Sequence, residues 1–467
     1  MLTYDLNSRG KTPLYEYLYA RIKADINSGI LKTDYKLPSK RSLAQHLKIS
    51  VITVENAYAQ LALEGYIYSQ EKRGYYVSPI ETKGVKVNTV HPNIAKSKQD
   101  EETGFIDFRS NSVNPQKFPF SVWAKLMREV LSEQQEYLLR RIPNKGVYEL
   151  RTAIADHLQA FRGINISPEQ VIVGSGTEYL YGMLVKLLGQ EKKFALENPG
   201  YKKISQIYSS SGVEYSLVNI DREGLSVAEL ELSGADVVHI SPTHNFPTGI
   251  VMSNRRRREI LDWSGRSVGR YIIEDDYDSE LRLQGNPLPS LQSIDQQQKV
   301  IYMNTFTKTL APSIRISYMI LPPNLLDVYE QKLGFYACTV PSFEQYALAK
   351  FIADGYFERH IYRMRKFYKT QRNFLIKTIK NSRLQERMQI IEHSAGLHFL
   401  LKLSTNLSDK EIILAARKKG LLVSCLSEHC QVASTLCEPS TLVINYSGVD
   451  SEQILTGIKY LEEIVCG

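Results

Sequence analysis

Near the start of the chain, apolar residues recur at four-residue steps, at Leu14, Leu18, Ile22 and Ile26. That spacing predicts an amphipathic helix, with Gly29 as its stop. Two more helices follow. Ser39 can cap a short one carrying Leu43 and Leu47, and Ser50 a longer one burying Val54, Ala57, Tyr58 and Leu61. On that longer helix Thr53, Asn56 and Gln60 are left facing outward. YIYSQEKRGYYV then reads as two short strands around a basic glycine turn. Between Pro79 and Gly104 the pattern stops: ETKGVKVNTVHPNIAKSKQDEET is polar, charged and aperiodic, as expected of a tether over 79–103. From residue 171 onward the short apolar runs VIV, FAL, VVHI, YIIED, VIYM and YMIL alternate with helical stretches. They predict parallel strands with crossover helices, hence an α/β sheet covered on both faces.

Composition agrees with a small domain plus a large one. The 467 residues exceed one ordinary domain, with 43% hydrophobic and 23% charged residues. No apolar run is long enough for a bilayer and no leader precedes the first helix, so a cytoplasmic protein without membrane contact is expected. The net charge is +8, and residues 1–78 hold 11 Lys+Arg against 7 Asp+Glu, a bias toward phosphate. Five cysteines give no disulfide framework. Cys425, Cys430 and Cys437, with His429 among them, match no familiar zinc spacing, so ordinary thiols and no metal are expected.

Two helices joined tightly, the second with small polar residues at its start, fit a helix-turn-helix whose second helix enters a major groove. The hairpin would be its wing, with Lys72 and Arg73 reaching phosphates or the minor groove. A plain three-helix module is the alternative. PLYEYLYARIKADINSGIL, LPSKRSLAQHL, ISVITVENAY, LALEGYI and KRGYYV together resemble the GntR family of bacterial regulators over residues 11–78. The resemblance implies DNA contacts from Arg41 and from the first turn of the recognition helix. Its candidate DNA-facing set is Ser39, Lys40, Arg41, Ser50, Thr53, Asn56, Lys72, Arg73 and Gly74. Where that family usually has Ser-Arg, this chain has Ser50-Val51, so Val51 would meet a thymine methyl instead.

In the larger part, VIVGSGTEYL is a strand, a small-residue turn and a helix start, so Gly176, Thr177 and Glu178 could offer amides and a hydroxyl to an anion. Asp275 and Tyr277 follow the strand of YIIEDDYDSELR. Lys308 follows another, with Thr305 and Thr307 before it and Arg315 seven residues later. Each feature alone has a bland reading: a turn, a helix cap, a solvated lysine. Together they fit pyridoxal 5'-phosphate, which needs an amine for its aldehyde, a carboxylate for its pyridine nitrogen, and hydroxyls, amides and an arginine for its phosphate.

With NKGVYELRTAIADHL, ENPGYKK, SPTHNFPTG and TFTKTLAPSIRISYMILP in this order, residues 104–467 resemble the fold-type I aminotransferases. That resemblance implies a mostly parallel central sheet and a smaller C-terminal α+β subdomain. It makes Lys308 the internal aldimine lysine, Asp275 the pyridine partner, Tyr277 the phenolate partner, Arg315 the phosphate arginine and Tyr201 the residue stacked on the ring. There are departures. Phe246 stands where aminotransferases place an asparagine, with Asn245 adjacent as the candidate cofactor contact. Arg141 aligns with the tyrosine lent to the partner subunit, and Val443 with the arginine that grips a substrate carboxylate. Lys203 is a candidate replacement grip, as a point charge.

From end to end the chain resembles the MocR/GabR subfamily of transcription regulators. The implication is a head-to-tail homodimer whose two readers address operator DNA. Its body would sense an amine or amino acid, such as γ-aminobutyrate, or the cofactor itself in the control of vitamin B6 synthesis. The competing expectations are a working aminotransferase with an accessory DNA-binding domain, and a scaffold without cofactor.

Overall fold

The computed structural model describes residues 2–10, 12–79, 104–110, 114–283, 285, 288–391 and 396–467. The chain divides into two compact units, Met1–Lys96 and Ser97–Gly467. The tether expected over 79–103 lies, from residue 80 on, outside the described residues.

The first unit holds helices α1 (Leu14–Asn27), α2 (Lys40–Leu47) and α3 (Val51–Leu63) and the antiparallel strands β1 (Ile67–Gln70) and β2 (Gly74–Val77). Leu18, Ile22 and Ile26 of α1 pack with Leu43, Leu47, Val54, Tyr58 and Leu61 in one core, which Ile67 and Val77 close from the hairpin. Burying each such side chain is worth about 1.5–3 kcal/mol, which is what holds so small a unit together. Ser39 Oγ accepts from the Ser42 amide and Ser50 Oγ from the Thr53 amide, each at 3.1 Å. These caps start α2 and α3 by satisfying amides that have no partner inside the helix. Lys48, left-handed at φ 55°, ends α2 and sets up the tight turn into α3.

In the second unit the eight-stranded sheet has the order β4-β11-β10-β9-β8-β5-β6-β7. Its members are β4 (Val171–Gly174), β5 (Phe194–Asn198), β6 (Tyr215–Asp221), β7 (Gly224–Leu225), β8 (Val237–Ile240), β9 (Tyr271–Asp275), β10 (Val300–Thr305) and β11 (Ser317–Ile320). Strands β6, β5, β8, β9 and β10 run parallel. The run YMIL, expected among the parallel strands, instead forms β11, antiparallel to both β10 and β4. The reason is the short connection: eleven residues after β10 suffice for a return but not for a crossover helix. Alternate residues face opposite sides. Ile273, Ile301 and Met303 pack with helix α4 (Thr177–Leu188), while Tyr302, Tyr318 and Ile320 join a core on the other face.

A smaller antiparallel sheet, in the order β12-β13-β16-β15, is built from β12 (Met388–Ile391), β13 (His398–Leu403), β15 (Ser424–Cys425) and β16 (Thr441–Asn445). Beside it β3 (Ile106–Asp107) pairs in parallel with β14 (Leu421–Leu422), tying the start of the unit to its end. The expectation that all cysteines are thiols is corrected: Cys430 and Cys437 form a disulfide, and Cys338, Cys425 and Cys466 are free. The chain folds back between them and brings their Cα atoms within 6.2 Å, a proximity that linear spacing does not reveal.

Candidate functional site

A cavity of about 400 Å³ opens at the carboxyl ends of the central strands, the edge where open α/β sheets bind ligands. Register explains its walls. Asp275, the last residue of β9, lies beside Met303 of β10, so the turn after β10, with Lys308, meets the turn after β9. Because β11 is antiparallel, Ser317 pairs with Gly174, which brings Arg315 against the turn after β4. Arg315 Nη2 donates to the Ser175 carbonyl at 3.3 Å, and a Cβ on Gly176 would stand only 2.5 Å from that nitrogen. The start of α4 presents its unpaired amides here, so amides, the Thr307 hydroxyl and a guanidinium converge on one anion-sized place. Thr305 braces the turn: its hydroxyl accepts from Ser317 at 2.7 Å and from the Thr307 amide at 3.1 Å.

Asp275 is buried. Tyr181 Oη, one helical turn after Thr177, donates to its Oδ2 at 2.5 Å, and His239 Nε2 lies 3.5 Å from the same oxygen. Oδ1 has no hydrogen-bond partner among the described residues. A buried carboxylate oxygen left in this way costs free energy, which a protonated ring nitrogen would recover. Burial lowers the pKa of Lys308, favouring the neutral amine that attacks a carbonyl, and the Asp278 charge opposes this. Tyr277 Oη lies 3.2 Å from His244 Nδ1, itself 2.8 Å from Asp278 Oδ2. Burial and the neighbouring carboxylates keep the Tyr277 phenol protonated, able to donate. Tyr201 lines the mouth, its ring edge-on to Phe246 at 5.8 Å. The donor set thus suits a ligand with an anionic group, an aldehyde and a basic ring nitrogen. No cluster of His, Cys, Asp and Glu able to hold a metal occurs among the described residues.

In the first unit, Arg41, Asn56, Lys72, Arg73 and Gly74 are exposed and Thr53 is half-buried. The Ser39 and Ser50 hydroxyls serve as caps. Lys40 Nζ is engaged with Glu55 Oε1 at 2.6 Å. Val51 and Ile52 stand exposed on the first turn of α3, an apolar surface beside polar neighbours.

Comparison with known proteins now bears on both units. Residues 14–77 match the profile of the bacterial regulatory proteins of the gntR family, and residues 103–461 that of aminotransferase class I and II. An uncharacterized HTH-type transcriptional regulator of Bacillus subtilis, YdeL, is 36% identical over 99% of this chain and 98% of its own. The probable rhizopine catabolism regulatory protein MocR of Rhizobium meliloti is 30% identical over 98% of this chain and 94% of its own. The chain belongs to the MocR/GabR subfamily of GntR-type regulators. Among solved structures, a Pyrococcus horikoshii kynurenine aminotransferase in complex with PMP is 26% identical at a TM-score of 0.69, covering 79% of this chain and 92% of that one.

For this MocR/GabR member, the cavity brings together Lys308, Asp275, Tyr277, Arg315, Thr305, Thr307, Gly176, Thr177, Glu178 and Tyr201. Asn245 is not among the residues lining it. Its Oδ1 accepts from Thr248 at 2.7 Å in the buried turn, and Phe246 faces the cavity instead. Lys203 is not among the lining residues either, although its ammonium pairs with the carboxylate of Glu178, which is. Val443 is fully buried beside Leu400 and Leu426, with Phe246 packed against them. Sequence reasoning missed Tyr181, His239, Glu197 and Arg109, all in the wall. A polar residue in each of the apolar strands VVHI and FALEN was a usable signal for His239 and Glu197. For Arg109 there was none.

Proposed function

We propose that the protein is a transcription regulator whose body binds pyridoxal 5'-phosphate and whose readers bind operator DNA as a homodimer, two readers addressing two half-sites. The observation that carries the reading is one cavity lined by Lys308, Asp275, Tyr277 and Arg315 in a chain that also bears a GntR-type domain. Arg315, Thr307 and the amides after Gly176 would hold the phosphate, Asp275 Oδ1 would accept from the ring nitrogen, and Tyr277 would donate to the ring oxygen. Lys308 Nζ would carry the cofactor. When bound, pyridoxal phosphate supplies an aldehyde that exchanges amines, the chemistry an amine sensor requires. An effector changes DNA affinity only by preferring one arrangement of body and readers, so its differential binding sets the response.

Visible absorbance of the purified chain after incubation with pyridoxal phosphate, and its loss in Lys308→Ala, test the cofactor. Affinity for the DNA upstream of its own gene, with and without pyridoxal phosphate and a panel of amines, tests the regulator. A colourless protein, or a DNA affinity indifferent to every addition, sinks the reading. Sustained conversion of an amino acid and a 2-oxo acid at enzymatic rates would favour the aminotransferase reading instead, which the set Lys308, Asp275 and Arg315 supports.

A further inference from the structure

We infer that the long helix of the second unit carries a surface for the backbone of duplex DNA, in addition to the reader of the first unit. The inference rests on the proposal that the chain works on DNA, and concerns a part of the molecule other than the cavity. Helix α5 (Tyr356–Lys380) holds eight Lys and Arg against one Glu, an excess of seven in a chain whose whole excess is +8. The helical period sorts them. Phe357, Ile361, Met364, Tyr368, Leu375 and Ile379 recur at three- and four-residue steps and are buried in the core. On the other side Arg359, Arg363, Lys366, Lys369, Lys377 and Lys380 are exposed, with the uncharged Thr370 and Asn373 between them.

Between Arg359 and Lys380 the stripe is roughly 31 Å long at about 1.5 Å per residue, close to one turn of duplex DNA at about 34 Å. None of its six cations pairs with a carboxylate among the described residues, and Arg359 donates to the Asp354 carbonyl at 3.1 Å. Other surface bases of the unit are neutralised: Arg255 by Glu223 and Glu259, Lys350 by Glu129 and Glu133, Lys419 by Glu463. Glu462, which shares a shallow groove with Lys377, is engaged with Arg383 at 2.5 Å. Like charges three and four residues apart, such as Lys366 and Lys369 or Arg359 and Arg363, repel along a helix, so a polyanion lying on them removes a cost already present. A second copy of this face would be repelled by the first. A helix that lies on a membrane inserts an apolar side, and here that side is inside the core. A duplex supplies about one negative charge per 1.7 Å of its axis, and this chain bears a GntR-type domain. Contacts of this kind hold DNA in place without reading its bases.

The test uses the full-length chain and measures its affinity for a long random-sequence duplex against salt, with circular dichroism recorded for every variant. Combining Arg363→Gln, Lys366→Gln, Lys369→Gln and Lys377→Gln should weaken binding about 10-fold or more and lower the slope of log affinity against log salt by about 2–4. The milder pair Lys366→Gln and Lys369→Gln should lower that slope by about 1–2. Keeping the charge, with Arg363→Lys, Lys366→Arg, Lys369→Arg and Lys377→Arg, should leave both as in wild type. A slope unchanged in the folded glutamine variants, or lowered equally in the charge-keeping one, overturns the inference; a slope that Arg41→Ala still lowers leaves the DNA reading standing. If wild type binds no duplex, both fall. Phosphatidylserine vesicles are the second probe: binding to them that the glutamine variant loses, with its DNA affinity unchanged, would give the stripe to a membrane and overturn the inference as well.

Discussion

Arg315 lies close against Gly176: a methyl group on that glycine would sit 2.5 Å from Nη2 and 3.0 Å from the guanidinium carbon. Gly176 also has φ +100°, a conformation that side chains resist. Gly176→Ala should therefore push Arg315 out of the anion cup and weaken pyridoxal phosphate binding by about 10-fold or more, with the fold intact by circular dichroism. An absorbance titration measures it. An unchanged affinity would remove Arg315 from the phosphate site.

Beneath the cavity, Arg162 Nη2 lies 2.9 Å from Asp276 Oδ2, both side chains almost wholly buried, and Tyr302 Oη donates to the same oxygen at 2.7 Å. Removing one member of a buried pair strands the other's charge. Arg162→Ala should cost about 3–5 kcal/mol, read as a fall in the melting temperature of the larger unit. A loss under 1 kcal/mol would mean that water reaches Asp276.

Burial pushes the Glu197 carboxyl up to about 7, despite the Ser241 amide donating to it. Between the ordinary carboxylate range and pH 7 the folded chain therefore holds a proton that the unfolded chain has released, and stability falls as pH rises through that window. Glu197→Gln lacks this term. Its stability relative to wild type should rise by up to about 3 kcal/mol from pH 4.5 to pH 7 and then level off, as paired denaturation curves would show.

Arg41, Lys72 and Arg73 are exposed, and in the proposed reader they would meet phosphates. Each change to alanine should weaken operator and random DNA alike and lower the slope of log affinity against log salt by about 1, without touching the visible absorbance. Ser50→Ala removes the cap of α3 and should cost the reader about 1 kcal/mol of stability.

Thiol titration of the unreduced, denatured chain should count three reactive cysteines, Cys338, Cys425 and Cys466, and five after reduction. Closing so short a loop contributes about 2 kcal/mol, so Cys430→Ser should be measurably less stable under oxidising conditions. The same change should loosen Gln431, whose amide donates to Asn198 at 2.9 Å on the cavity rim.

Local pattern was enough for the first unit. The faces of α1 and α3, the two serine caps and the hairpin follow from spacing, because a helix buries the residues that its period brings to one side. Most strands of the large sheet were legible for the same reason. They are short, apolar and buried on both faces. Strand β6 was not, since its half-buried residues give no apolar run.

What the sequence by itself determined was therefore which segments become helix or strand, and that Lys308 lies just past one strand and Asp275 at the end of another. Tertiary structure alone decided that β11 turns back between β4 and β10, so that Arg315 meets Gly176, and that Tyr181 and His239 flank Asp275. It also moved Lys203 out of the cavity and Arg109 into its wall, and joined Cys430 to Cys437. Periodicity records which side of an element is buried. It carries no information on which element, distant in the chain, will lie against that side.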